Sequence, residues 1–264
     1  MQAACPVFFV FVFEGWCFAV FNSFFVLCFS LECCCFIAAC APTKSDAYVR
    51  VAGGAPQSRA HLSDVTIVVS SCDKYKTLWP GFFACLFRFW PSLQTSNQHV
   101  PIVLITGSEK FVHPRVRTFQ TGVDRGWGVN LKKALSTIKT RYVLYLQEDY
   151  LLCALTDDAF LANILEVMQA NPHVVHCQLA ADHVWFRKGQ PFVEKASFEG
   201  ADFLNHSLSE RMLKKSLRAR YRTSLQAALW RKDALYRLIV DDETPWQFEK
   251  KGSKRASALE HEKG

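Results

Sequence analysis

The chain has 264 residues, half of them hydrophobic and 22 of them Phe, with 31 Lys and Arg against 24 Asp and Glu for a net charge of +7. That length suits one domain of about 200 residues plus an appendage, with apolar content for a sizeable core. The eleven cysteines include no CxxC pair, so neither a zinc site nor a redox dithiol is signalled, and the scattered thiols suit a reducing compartment better than a disulfide framework.

Residues 1–42 form a hydrophobic N-terminal segment in which Glu14 and Glu32 are the only charges; it holds seven of the cysteines. The apolar run is long enough for a bilayer, which needs roughly 20 such residues. No Lys or Arg precedes it, whereas Lys44, Arg50 and Arg59 follow, so the positive-inside rule places the downstream domain in the cytoplasm. Two glutamates and the Cys33–Cys35 triplet fit a span poorly, so a membrane anchor and an irregular extension both stay open. Residues 43–61 are a linker, marked by AGGAPQS at 52–58, and residues 62–264 have the composition of an ordinary globular domain.

VTIVVS at 65–70 predicts a buried strand. Residues 76–90 place Leu78, Trp79, Phe82, Phe83, Leu86, Phe89 and Trp90 on a helical stripe that Pro91 ends. PIVLIT at 101–106 predicts a second strand, followed by a polar loop through His113 and Pro114 to Gly128. The pattern predicts a helix over 129–139, a strand over 142–146, and a helix over 157–170 that Thr156 can cap. A strand follows over 174–179. Ser207 and Glu210 make a capping-box pattern that predicts a basic helix running to Leu217, and then come a strand over 224–230 and a helix over 232–240. Eight basic residues and no acids lie between Arg211 and Lys232; this reads as a solvated helix face with a few functional members. Nothing resembling a nucleic-acid-binding motif accompanies them, so no nucleic-acid partner is expected.

Strands alternating with helices predict an α/β sandwich around a mostly parallel sheet. In such sheets ligands bind beyond the carboxyl ends of the strands. Three polar clusters fall there: Ser70–Tyr75, Thr106–Gly107, and Gln147-Glu148-Asp149. Two adjacent carboxylates at a strand end are hard oxygen ligands suited to Mg²⁺ or Mn²⁺ shared with phosphate oxygens. They equally suit a plain strand end and turn cap.

The path DRGWGVNLKKALSTIKTRYVLYLQEDY, 124–150, resembles the core of nucleotide-diphospho-sugar transferases of the GT-A fold, in particular the family 2-like glycosyltransferases. A Gly-containing loop (Gly126, Gly128) leads to an Asn (Asn130) that opens a helix, and a strand ends in an acidic metal-binding motif, here Glu148-Asp149 in place of Asp-x-Asp. IVVSSCDKY at 67–75 looks like the family's nucleotide-contacting first strand. The resemblance covers roughly residues 64–250. It implies a GT-A-like three-layer α/β/α sandwich and transfer of a sugar from a nucleotide-sugar donor, UDP-sugar first, to a glycan, lipid or protein hydroxyl. It implies Asp149 as ligand of a divalent Mg or Mn ion, with Glu148 assisting. Ser71, Asp73, Asp124 and Asn130 fall on the nucleotide-sugar side. The acidic segment 241–249 resembles the one in which a carboxylate acts as base, Glu243 first and Glu249 second. Arg222 is expected to reach a phosphate and Gln226 an acceptor hydroxyl. His183, Trp230 and Trp246 are further candidates, each with an ordinary core or surface alternative. The departure from Asp-x-Asp and the short polar stretch after Glu249 keep open a non-catalytic nucleotide- or sugar-binding relative.

Overall fold

The computed structural model describes residues 62–95, 100–152, 154–179, 219 and 221–261, with the strands at 7–11, 18–20, 193–195 and 212–215. The linker, His183, and the capping-box residues Ser207 and Glu210 lie outside the described residues. In chain order the strands are β1 (Val7–Phe11), β2 (Phe18–Val20), β3 (Val65–Ser70), β4 (Ile102–Thr106), β5 (Val116–Gln120), β6 (Tyr142–Gln147), β7 (Tyr150–Leu152), β8 (Val174–Gln178), β9 (Val193–Lys195), β10 (Met212–Lys215) and β11 (Ala228–Arg231). The helices are α1 (Trp79–Phe89), α2 (Trp127–Leu135), α3 (Asp158–Ala170), α4 (Lys232–Leu238) and a C-terminal helical segment over Pro245–His261.

Among the described residues one sheet runs β5-β4-β3-β6-β11-β8-β1-β10-β9. The pairs β5/β4, β4/β3 and β3/β6 are parallel, and β11 is inserted antiparallel between β6 and β8. Strands buried on both faces read as continuous apolar runs, which is why VTIVVS, IVLIT and YVLYL are buried along their whole length. On one face Ile67, Val69, Leu104, Leu144 and Leu146 pack against Phe82, Phe83 and Leu86 of α1 and Ile164, Leu165 and Met168 of α3. On the other, Val68, Ile105, Val143, Tyr145 and Trp230 meet Leu131 and Leu135 of α2, Leu235 and Leu238 of α4, and Phe248. The architecture is therefore a three-layer α/β/α sandwich around a mostly parallel sheet.

Several expectations change. The helix predicted from residue 76 begins at Trp79, because 73–75 form a 3-10 turn. Val116–Gln120, inside the stretch expected to be a polar loop, is an edge strand with only Val116 buried. Asp157, not Thr156, caps α3, its carboxylate accepting from the Phe160 N–H at 3.1 Å. Met212–Lys215 is a strand where a basic helix was expected; pairing on both sides with β1 and β9 overrides the local helical signal. The polar stretch after Glu249 is helical to His261. In the hydrophobic segment, β1 runs parallel to β8 within the sheet, and β2 pairs with β7. No helix among the described residues is long and apolar enough to cross a membrane.

β3 fixes where a ligand can enter. Its neighbours β4 and β6 lie on opposite sides, and α1 and α2 cover opposite faces. The crevice outside the carboxyl ends of β3 and β6 is thus a topological switch point, with Ser70 and Gln147 paired across it. Because β11 is antiparallel, the residues entering it, 223–227, reach the same rim.

Candidate functional site

Glu148 and Asp149 follow β6 directly. Glu148 is 6% exposed. Burial, reinforced by the neighbouring Asp149 charge, pushes its carboxyl up to about 7 against the opposing pull of its own N–H and the Ser71 hydroxyl. Burial also raises Asp149, and its Oδ1 is buried without a hydrogen-bond partner. A buried carboxylate oxygen left unmatched carries its full desolvation cost. A hard cation that also takes oxygens from its ligand would remove both penalties, so this pair fits a divalent ion. No group of three or more His, Cys, Asp or Glu that could hold a metal occurs among the described residues; phosphate oxygens or water would have to complete the shell.

The first loop closes on this pair. Ser71 Oγ accepts from Trp79 Nε1 at 2.7 Å while its hydroxyl supports Glu148. Cys72 lies within the fields of Glu148 and Asp124, and burial raises its thiol. Asp73 has a different task. Its two oxygens accept from the N–H groups of Gly107 (2.8 Å), Ser108 (2.8 Å) and Glu109 (3.2 Å) and from Ser108 Oγ (2.9 Å). Against some burial, the Ser108 donors and these amides hold it below the usual carboxylate range. About four acceptor positions are all a carboxylate has, so Asp73 ties the β3 and β4 loops together rather than presenting oxygen to a ribose. A Cβ on Gly107 would stand 2.7 Å from Asp73 Oδ2, so any larger residue there would crowd the tie.

Asp124 and Asn130 act as one unit. Asp124 Oδ1 accepts from the Gly126 N–H (2.9 Å) and from Asn130 Nδ2 (2.8 Å), organising the entry to α2. Gly126 sits at φ 94°, and a Cβ on Gly128 would come within 2.3 Å of the Val240 carbonyl. The glycine loop is thus a close-approach joint between α2 and the turn after α4, which Lys132–Asp241 (2.7 Å) also spans.

Tyr145, absent from the sequence candidates, links the halves of the site. Its hydroxyl meets Ser70 and accepts from Trp127 Nε1 (3.1 Å), and both Glu148 and Glu249 act on it electrostatically. The signal was present: a tyrosine inside a buried strand needs a partner for its hydroxyl. Glu249 Oε1 accepts from the Leu225 N–H (2.8 Å) and Ser224 Oγ (3.3 Å), in the segment that leads into β11. Gln226, nearly buried, accepts from Gln178 Nε2 (2.7 Å).

Other expected residues are placed elsewhere. Glu243 is 4% exposed, and both of its oxygens are held by Arg255, at 2.7 and 2.6 Å. Arg222 is wholly buried and donates from Nη1 to the Lys215 carbonyl at 2.8 Å, so its charge stays inside the fold. Lys215 is buried too, whereas Arg231 and Lys232 are half-buried; the side chains of Arg211, Lys214, Arg218 and Arg220 lie outside the described residues. Trp230 is core, against His176 and Phe248. Trp246 is 70% exposed, on a turn capped by Thr244 and Gln247.

No protein-family model matches the chain, and no curated protein matches it. Among solved structures it is similar to the mannosyltransferase PcManGT from Pyrobaculum calidifontis, solved with GDP-mannose and Mn²⁺, at 16% identity and a TM-score of 0.36. The match covers 66% of this chain and 46% of that one, so the chain spans less than half of that structure's length.

Proposed function

We propose that the chain is a glycosyltransferase that moves a sugar from a nucleotide-diphosphate donor, UDP-sugar first, to a hydroxyl of a glycan, lipid or protein. The observation that carries this reading is the unmatched, buried Asp149 Oδ1 beside Glu148 at the carboxyl rim of a parallel sheet. A divalent cation held there by Asp149 and Glu148 would supply neutralisation of the charge that grows on the departing nucleotide. The remaining work falls to the chain's own groups. Ser71 and Tyr145 hold the rim, the Asp124–Asn130 unit shapes the loop entering α2, and Gln226 offers polar contact to the substrate.

Transfer with inversion needs one group to take the proton of the attacking hydroxyl. Of the two expected carboxylates, Glu249 suits this role. It sits with residues 224–226 at the rim, whereas Glu243 is engaged through both oxygens by Arg255. The engaged Glu243 favours a second reading, a nucleotide- or sugar-binding relative without transfer activity.

Titrating the full chain with UDP and Mn²⁺, then following hydrolysis of a UDP-sugar panel, tests both. Saturable, metal-dependent UDP binding supports the site, and donor turnover lost in Glu249→Gln supports the enzyme. Absence of UDP binding in the presence of Mn²⁺ sinks the sugar-nucleotide reading, and binding without turnover leaves the second.

A further inference from the structure

Lys215 is fully buried, and the proposed chemistry does not use it. Its ammonium donates to Gln178 Oε1 at 2.6 Å and to the carbonyls of Tyr221 (3.0 Å) and Arg222 (3.2 Å). An ammonium has three donors and no acceptor. Gln178 must therefore turn its amide oxygen toward the lysine and its nitrogen away. That nitrogen donates to Gln226 Oε1 at 2.7 Å, which turns the second amide the same way, oxygen inward and nitrogen outward. Among the described residues no acceptor takes Gln226 Nε2.

The position of that outward nitrogen follows from the sheet. β11 pairs Ala228 with Tyr145 and, on its other side, with Gln178. Two residues further along the same antiparallel register, Gln226 falls opposite Gln147, next to Glu148 and Asp149. The groups already there, Glu148, Asp149 and Glu249, offer oxygens. A neutral glutamine could present either end of its amide, and two linked amides amplify the choice made at one end of the chain. A buried cation at that end removes the choice.

We infer that Lys215 and Gln178 are positioning residues that fix Gln226 as a hydrogen-bond donor to a phosphoryl oxygen of the ligand in this cleft. The phosphoryl assignment rests on the sugar-nucleotide reading above; the amide polarity does not. Burial and the Arg222 charge both push the Lys215 ammonium well below its ordinary value, with the Glu249 charge opposing them; its three oxygen partners match the three N–H donors of the protonated form, which has no lone pair to accept from an amide.

The test uses the full chain labelled with ¹⁵N-glutamine, reading solvent exchange of side-chain amide protons. In the wild type the Gln178 amide is protected and the Gln226 amide exchanges freely. Gln178→Glu sets acceptor oxygens against both neighbours, so Gln226 must turn its nitrogen inward and its amide protons become protected. Protected Gln226 protons in the wild type, or none gained in Gln178→Glu, overturn the inference. Should that variant not fold, Lys215→Met serves: protection of Gln178 then falls, and unchanged protection is fatal. Gln226→Glu faces the ligand with a carboxylate, and UDP binding with Mn²⁺ should weaken about tenfold or more, read on a variant that circular dichroism shows to be folded under the binding conditions. Wild-type affinity in Gln226→Glu removes the phosphoryl assignment. A wild type that binds no UDP removes it together with the sugar-nucleotide reading, and the exchange data then judge the amide polarity alone.

Discussion

Glu148 and Glu243 are buried to nearly the same degree, 6% and 4% exposed, yet the fold completes only one of them. Glu243 has a bidentate guanidinium partner, which also donates to the Leu238 carbonyl at 2.7 Å and so fastens the C-terminal segment beneath α4. Glu148 has the Ser71 hydroxyl and an adjacent like charge, and its neighbour Asp149 keeps an oxygen unmatched. Asp73, with four donors, belongs with Glu243. The difference separates carboxylates that hold the protein together from those held ready for something else. Burial alone does not distinguish them; the partner does.

Arg255→Ala should sharpen the contrast most. Removing one member of a buried pair strands the other charge and costs about 3 kcal/mol, the low end of the usual range because Arg255 is a third exposed. Urea unfolding checks this, and a loss under 1 kcal/mol would mean Glu243 is not a tie. Glu243→Gln should weaken the fold while leaving UDP binding intact.

The pH dependence comes next. The folded Glu148 carboxyl lies near 7, above its ordinary 4.5, so between those values the native state holds a proton that the unfolded chain has released. Its contribution is full below pH 4.5 and is lost as pH rises through 7. Against Glu148→Gln, the metal-free wild type should therefore lose about 3 kcal/mol between pH 4.5 and 8. His176, depressed by burial, is common to both proteins and cancels in the difference. Mn²⁺ should restore the loss at pH 8, since a cation binds the carboxylate form. A pH-independent difference would break the comparison.

Asp149→Asn should leave stability within about 1 kcal/mol of the wild type, since its Oδ1 has no partner to lose. Metal-dependent UDP binding should fall at least about tenfold, the lower bound even for an outer-shell metal partner. Calorimetric titration with Mn²⁺ reads both. The smallest effect is Gly107→Ala, which crowds Asp73 Oδ2 and should cost about 1 kcal/mol by thermal melting, relieved in the double variant with Asp73→Ala.

Much of this was legible from one dimension. The runs at 65–70, 102–106 and 142–147 are buried on both faces, so composition alone located them, and polar clusters after each marked a common rim. The edge strand 116–120 was not legible, because pairing on one side alone leaves every residue but Val116 at least partly exposed. Residues 212–215 carried a helix-like signal that sheet pairing overrode. The tasks of Asp73 and Glu243 depend on donors 34 and 12 residues away, and three of the four groups on Asp73 are backbone amides, which carry no side-chain signal. Nothing local to Lys215 foretold its burial, because its partners Gln178 and Tyr221 are brought by two other segments.

The reversed direction of β11 carries a consequence for the chain as it leaves the ribosome. Strands β3 to β6 and the acidic pair are complete once residue 149 has emerged, but Gln226 and Glu249 reach the rim only when the last strand slots between β6 and β8 and the following helix docks. A nascent chain would therefore display an acidic edge with no opposite wall for roughly a hundred residues of synthesis. Competence arrives late and all at once, with the insertion of that single strand.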